Sequence, residues 1–172
     1  MGGLIACLCE GTAEEAIINL LLTNDKLNFT RENLLENDVI RCRSAKNFQD
    51  RHLRKGFKEK ITVYRILDSR KENFKLDAAY RTKVKVIDII TAPEIEMLII
   101  IHEGKYKQYT NSYSNMKPSS FCKEVLALKS IKSKEFICSY FNDIDKLVAS
   151  IKEYKRIKNI PDGEKCLADL LK

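Results

Sequence analysis

The sequence has no long hydrophobic run. No apolar segment reaches the roughly 18 residues that a membrane-spanning helix needs. The longest, residues 96–101, is expected to lie in a protein core. The N-terminus also lacks a basic region followed by an apolar stretch and a small-residue cleavage site. We therefore expect neither a membrane span nor an export signal, and we predict a cytoplasmic protein.

Histidine is scarce, and the cysteines follow no metal-binding pattern. Only two histidines occur, and no Ser-His-Asp or Cys-His nucleophile arrangement can be argued from them. The six cysteines include no C-x-x-C, and Cys7 and Cys9 alternate within a strand-like run. Buried reduced thiols are therefore expected rather than disulfides or a zinc site. The absence of a glycine-rich phosphate loop argues against nucleotide hydrolysis by this chain itself.

Charge is unevenly distributed along the chain, whose net charge is +7. Residues 1–40 carry two basic and seven acidic residues, whereas residues 41–83 carry fourteen basic and five acidic ones. Basic surface beside a small acidic pocket suits a metal-using phosphodiester enzyme, because lysine and arginine bind the polyanion and carboxylates hold the cation. On composition alone, an ordinary lysine-rich solvated surface is the favoured explanation.

Hydrophobic patterning predicts alternating strands and helices. Strands are expected at residues 3–9, 39–42, 61–67 and 84–90. Helices are expected over residues 13–22, over the basic segment 44–57 with a stop near Gly56, after Pro93, and from Pro118, Ser133 and Asp143. Thr12 and Glu15 would form a capping box at the first helix.

This alternation predicts an α/β fold with a mainly parallel, Rossmann-like sheet flanked by helices. Residues 1–104 would form the α/β core, and residues 105–172 a helical C-terminal extension packed on the same domain. Ligands bind such sheets outside the carboxyl ends of the strands. Glu10 and Asp68 each follow a predicted strand, so we expect them to converge at that edge.

Three segments together resemble the Toprim family. "CEGTAEE" is similar to its first motif, an E-G at the end of the first strand with a glutamate four positions on. "YRILDSR" resembles the second motif, usually D-x-D after a hydrophobic strand. "TAPEIEMLIIIH" resembles the N-P-x-F-E-x-W-x-x-x-H segment of RloB-like proteins, a Toprim branch related to the OLD nucleases, with Pro93, Glu96 and His102 on the pattern. The resemblance extends over residues 3–158.

The resemblance implies a Toprim-like fold and a nuclease that uses Mg²⁺ or Mn²⁺ to cut DNA or RNA. It also implies an effector of bacterial anti-phage defence whose ATPase is a separate protein partner. Glu10 and Asp68 would be catalytic, and Glu10, Glu14, Asp68 and Glu96 would hold the metal. Hard divalent cations prefer such oxygen ligands.

The sequence departs from the family pattern at Arg70, which stands where the second aspartate of D-x-D is expected. Ile95 and Leu98 likewise replace the phenylalanine and tryptophan of the third motif. A cation at position 70 would repel a second metal ion. Three explanations stay open: one metal with Arg70 on the phosphate, replacement of the lost ligand by Glu14, Glu15 or Glu96, or a degenerate module that binds nucleic acid or a partner protein without cutting.

The remaining candidates are basic. The predicted nucleic-acid contacts are Arg41, Arg43, Lys46, Arg51, Arg54, Lys55, Arg70 and Lys71. Lys58 and Lys60 extend the same basic cluster, although single members are equally explained as solvated charges. His102 is expected to be a packed core histidine, and His52 to be solvated or in contact with phosphate.

Overall fold

A computed structural model describes residues 3–54, 57, 59–70, 73–91 and 94–172. For Glu94 it describes the backbone only. In these residues four strands form one all-parallel sheet in the order β2-β1-β3-β4. The strands are β1 (Leu4–Cys9), β2 (Ile40–Arg41), β3 (Ile61–Leu67) and β4 (Val84–Ile90). β1 and β3 are therefore the two central strands. The predicted α/β fold with a parallel sheet is confirmed.

Helices flank this sheet and fill the C-terminal part of the described chain. They are α1 (Thr12–Thr23), α2 (Ala45–Phe48), α3 (Ala78–Arg81), α4 (Glu94–His102), α5 (Tyr106–Ser112), α6 (Pro118–Glu124), α7 (Lys134–Tyr140) and α8 (Ile144–Ile157). A π-helical turn, Gln49–Leu53, continues α2, and short 3-10 turns lie at Arg31–Asn33 and Leu167–Leu170.

The two faces of the sheet bury separate apolar clusters, because successive strand residues point to opposite faces. Cys7 and Cys9 of β1 belong to the larger cluster, with α1, α4 and α8. Ala6 and Leu8 belong to the smaller one, with Phe48 of α2. Apolar residues from both the sheet half and the helical C-terminal half share the larger cluster, which ties α8 to α4.

Most local signals in the sequence acted as predicted. β3 and β4 have the predicted bounds, Pro118 occupies the first turn of α6, and the Ser133 and Asp143 side chains cap α7 and α8. β2 is shorter than predicted. The basic helix spans only α2 and the π-helical turn within the described residues, and its predicted stop, Gly56, lies outside them, as does Pro93.

The predicted capping box at α1 is wrong. Gly11, not Thr12, is the N-cap residue, and no side chain caps the helix. Glu15 instead lies within ion-pair distance of Arg41, with 3.5 Å between a carboxylate oxygen and Nε. The first turn of α1 therefore relies on its two glutamates beside the helix dipole rather than on a hydroxyl cap.

The C-terminal segment packs along the edge strand β4. The Ile90 amide donates to the Lys165 carbonyl at 2.8 Å, and Ile89 and Lys165 form a parallel bridge. All six cysteines are free thiols, as predicted, but Cys138 is exposed and Cys42 half-buried, so burial was wrongly expected for them. Within the described ranges, no helix combines the length and apolar character needed to cross a membrane.

Candidate metal centre

The carboxyl ends of β1 and β3 lie side by side at one edge of the sheet. Cys9, the last residue of β1, pairs in parallel register with Ile66 of β3. Glu10 directly follows β1, and Asp68 directly follows β3. Two acids that are distant in the sequence are thus brought to the same edge by the pairing of neighbouring central strands.

Glu14 is the most deeply placed acid of the first motif. It lies in the first turn of α1 and is only 5% exposed. Its carboxylate occupies the space over Gly11, because a Cβ added to Gly11 would collide with Glu14 Oε2. The glycine of the E-G pair is therefore needed for this close approach and not for an unusual backbone angle, since its φ is −108°.

The pKa of Glu14 responds to two other carboxylates near this edge. Burial raises the pKa of Glu14, and the neighbouring charges of Asp68 and Glu96 raise it further, against the lowering effects of a backbone hydrogen bond and of Lys132. Glu96 comes from α4 and is 6% exposed, whereas Asp68 is exposed. We call Glu14, Asp68 and Glu96 the acidic cluster. Glu14 of α1 thus lies within electrostatic range of two other predicted ligands, Asp68 at the end of β3 and Glu96 of α4.

A lysine from the segment before α7 is the counter-ion of this cluster. Lys132 Nζ lies 3.1 Å from Glu96 Oε1. Burial opposes the charge on Lys132, but the carboxylates of Glu96, Glu14 and Asp68 outweigh burial and raise its pKa. Sequence reasoning missed this residue, because it is one lysine among many and no local pattern links it to Glu96.

Glu10 has a different described neighbour. Its side chain is only 7% exposed, and Oε1 lies 3.6 Å from Arg43 Nε. Arg43 follows β2 and precedes α2, and its neighbour Cys42 packs on the smaller apolar cluster. The described ion pair of Glu10 is therefore with Arg43.

Arg70, in the place of the second motif's other acid, is bound by the C-terminal segment. Its Nε and Nη2 atoms donate to the two carboxylate oxygens of Glu164 at 2.8 and 2.7 Å. This bidentate pair raises the pKa of Arg70 and lowers that of Glu164. A phosphate contact by Arg70 would require it to leave Glu164.

The predicted nucleic-acid contacts differ in how strongly they are already paired. Arg54 donates to Asp50 at 2.8 Å, and Arg41 and Arg43 are near the glutamates of the first motif. Lys46 and Arg51 are exposed. Lys55, Lys58 and Lys71 lie outside the described residues. Exposed positive charge therefore remains on the α2 surface at positions 46 and 51.

Histidine and cysteine do not contribute reactive groups to the acidic cluster. The His102 ring packs on Tyr140 and Phe141, as expected for a core histidine, and His52 Nδ1 lies 2.8 Å from Glu36. The Cys122 thiol is a weak donor to the Glu96 carbonyl at 3.7 Å, and burial, with nearby Glu96, raises its pKa to about 12. This sulfur is therefore a neutral thiol near neutral pH.

The donor chemistry of the acidic cluster fits a hard divalent cation, since carboxylate oxygens are the ligands that Mg²⁺ and Mn²⁺ prefer. The acidic side chains are, however, spaced too widely to hold a metal ion as they stand. Among the residues that the structure describes, no group of three or more acidic, histidine or cysteine side chains is arranged closely enough to hold a metal ion. The positive charge described at the cluster is the Lys132 ammonium.

No protein-family model, curated protein or solved structure matches the chain at a significant level. The Toprim resemblance thus stays a prediction that rests on its three motifs.

Proposed function

We propose that this protein is a Mg²⁺- or Mn²⁺-dependent nuclease whose reaction centre is the acidic cluster. The observation that carries the proposal is the buried Glu14 carboxylate, which lies within electrostatic range of Asp68 and Glu96 near the carboxyl edge of a parallel sheet. Gathering like charges in a partly buried place is unfavourable unless a cation compensates them. A site of this kind suits cation binding better than it suits structural stability.

Each residue of the centre would have a distinct role. Glu14, Asp68 and Glu96 would hold the metal, which when bound would polarise a phosphodiester and lower the pKa of an attacking water. Glu10 would be a further ligand or a general base, as the motif implies.

Lys132 would act on the substrate side of the centre. Its ammonium is already directed at the carboxylates, and it is 56% exposed, so it can also face solvent and an incoming phosphate. A fixed positive charge near a phosphodiester stabilises the negative charge that develops during cleavage. A role as defence effector beside a separate ATPase rests on the resemblance alone.

A cleavage assay tests the proposal. The full chain is incubated with plasmid, single-stranded DNA and tRNA, with Mg²⁺, with Mn²⁺ or with chelator. We expect metal-dependent cleavage of at least one substrate and a loss of about 100-fold or more in Glu14→Gln, Asp68→Asn and Glu96→Gln, the size typical of lost electrostatic catalysis. Glu135→Gln, an exposed glutamate of α7, is the matched control and should cleave normally. Cleavage that persists in chelator or in all three variants contradicts the proposal.

A second candidate function is a module that binds nucleic acid or a partner protein without cutting. The observation that favours it is that two positively charged side chains already pair with carboxylates: Lys132 with Glu96, and Arg70 with Glu164. Such internal pairs satisfy the acids without a metal. Tight binding without cleavage under any metal condition, and with Glu10→Ala and Asp68→Ala unchanged, would favour this function.

A further inference from the structure

A groove opens between α6 and the segment that leads to α7. Its volume is about 380 Å³, which is near the lower end of the range of roughly 300–1,000 Å³ for small-ligand pockets. The side chains of Leu128 and Ile131 provide apolar walls, and both are half-buried against the larger apolar cluster. The groove therefore presents an apolar surface that is held in place by the core.

Positive charge surrounds this apolar surface. Lys123, Lys129 and Lys132 line the groove, and all three are exposed. Ser119 and Ser130 also line it. An occupant that combines a flat apolar part with negative charge matches this arrangement, because the apolar part can contact Leu128 and Ile131 while the charge contacts the lysines.

The segment that forms one wall has a defined conformation. Ala127 and Ser130 have φ angles of 55° and 54°, a region that residues other than glycine rarely adopt. The Leu128 amide donates to the Cys122 carbonyl at 3.0 Å, and the Ser133 amide to the Ser130 carbonyl at 2.8 Å. The groove is thus shaped before any occupant arrives.

Lys132 joins the groove to the acidic cluster. It lines the groove, and its Nζ lies 3.1 Å from Glu96 Oε1. Lys132 thus belongs to both places, so a strand that contacts Lys132 lies next to the groove and next to the acidic cluster.

We propose that the groove binds one unpaired nucleotide of a single-stranded nucleic acid, next to the phosphodiester at the acidic cluster. The proposal rests on the proposed function for the chemistry at the cluster, but not for binding. In a duplex the base faces are stacked and paired, so only base edges and the backbone are accessible. An unpaired base exposes its faces, which can pack on apolar side chains. The substrate class is thus single-stranded or locally unpaired DNA or RNA.

Binding without metal tests the proposal separately from cleavage. The anisotropy of labelled 12-nucleotide DNA and RNA single strands and of a 12-base-pair duplex is measured with the full chain in chelator, over a series of salt concentrations. We expect single strands to bind at least about tenfold more tightly than the duplex. In Lys129→Gln, the slope of log affinity against log salt should fall by about 0.7, the value for one lost contact to a single-strand phosphate.

Two further variants complete the test. Ile131→Asn should weaken single-strand binding by about tenfold with an unchanged salt slope, because it removes apolar contact and not charge. Lys152→Gln, an exposed lysine of α8 outside the groove, is the control and should behave as the wild type. If Ile131→Asn does not fold, the salt slope of Lys129→Gln, a change at an exposed position, decides the test.

Three results would overturn the proposal: duplex binding as tight as single-strand binding, an unchanged salt slope in Lys129→Gln, or equal competition by an acidic peptide of the same charge. The last result would assign the groove to an acidic protein partner. Metal-independent single-strand binding without any cleavage keeps this proposal and rejects the nuclease. Duplex cleavage that is unaffected in Lys129→Gln keeps the nuclease and rejects the groove.

Discussion

The ammonium of Lys132 lies 3.1 Å from a carboxylate oxygen of Glu96, although α5 and α6 separate the two residues in the sequence. Lys132 also lines the groove. Its contact with Glu96 means that any metal ion at the cluster competes with an internal cation for the same oxygens.

Lys132→Met should bind Mn²⁺ more tightly than the wild type but cleave nucleic acid more slowly. We expect roughly a tenfold gain in metal affinity, because a competing positive charge is removed from Glu96. Calorimetry with Mn²⁺ alone measures the affinity, and the cleavage assay measures the rate. Lys134→Met, an exposed lysine at the start of α7, is the control. Unchanged Mn²⁺ affinity in Lys132→Met would show that the ammonium and the metal do not share a position.

Glu14→Gln should raise thermal stability near neutral pH while it abolishes cleavage. The folded-state pKa of Glu14 is raised by burial and by Asp68 and Glu96. Its contribution to stability is therefore fully present below its unfolded pKa and is lost as the pH rises through the folded value. Glutamine keeps the shape of the side chain without ionising.

Melting temperatures from about pH 4 to 8 in chelator measure this effect. The gain of Glu14→Gln over the wild type should be smallest at the acidic end and should grow as the pH rises. A constant difference across this range would mean that Glu14 ionises in the folded protein as easily as in the unfolded chain.

Gly11→Ala should destabilise the protein mainly through its contact with Glu14. The added methyl group would overlap the Glu14 carboxylate, and overpacking of this kind costs about 1–3 kcal/mol. The φ of Gly11 is −108°, so alanine brings no backbone strain. Denaturant unfolding measures the cost. In a Glu14→Ala background the same change should cost less, because only the poorer N-cap preference of alanine remains. An equal cost in both backgrounds would contradict the contact.

Glu164→Gln should increase the affinity for single-stranded nucleic acid. The change weakens the bidentate hold on Arg70, which becomes available for a phosphate. We expect the salt slope to steepen by about 0.7, the value for one added contact to a single-strand phosphate. Glu153→Gln is a matched control, because Glu153 holds Arg156 in a similar bidentate pair on α8. If both changes have the same effect, the gain reflects net charge and not Arg70.

Arg70→Asp, combined with Glu164→Arg to keep the pair, tests the second-aspartate position directly. If the new carboxylate at position 70 restores the D-x-D ligand, Mn²⁺ affinity should rise by about tenfold over the wild type. Calorimetry measures it, and Glu164→Arg alone is the control. Unchanged affinity would place position 70 outside the metal site. Arg70 would then serve only to hold the C-terminal segment through Glu164.

The sheet was predictable from the sequence because its signals are local. The β-branched runs "ITVYRIL" and "VKVIDII" gave the bounds of β3 and β4. Pro118, Ser133 and Asp143 marked helix starts through backbone and capping chemistry within a few residues. Thr12 showed the limit of such signals. The capping-box pattern was present, but the cap is Gly11, with the Glu14 carboxylate folded over it.

The sequence by itself determined the alternation of strands and helices, and with it the edge at which Glu10 and Asp68 lie. Only the tertiary structure decided the neighbours of each charge: Lys132 for Glu96, Arg43 for Glu10 and Glu164 for Arg70. The physical reason is the separation along the chain over which each kind of interaction acts. Strand and helix preferences act over a few residues, whereas an ion pair forms between side chains that the packing of remote segments brings together.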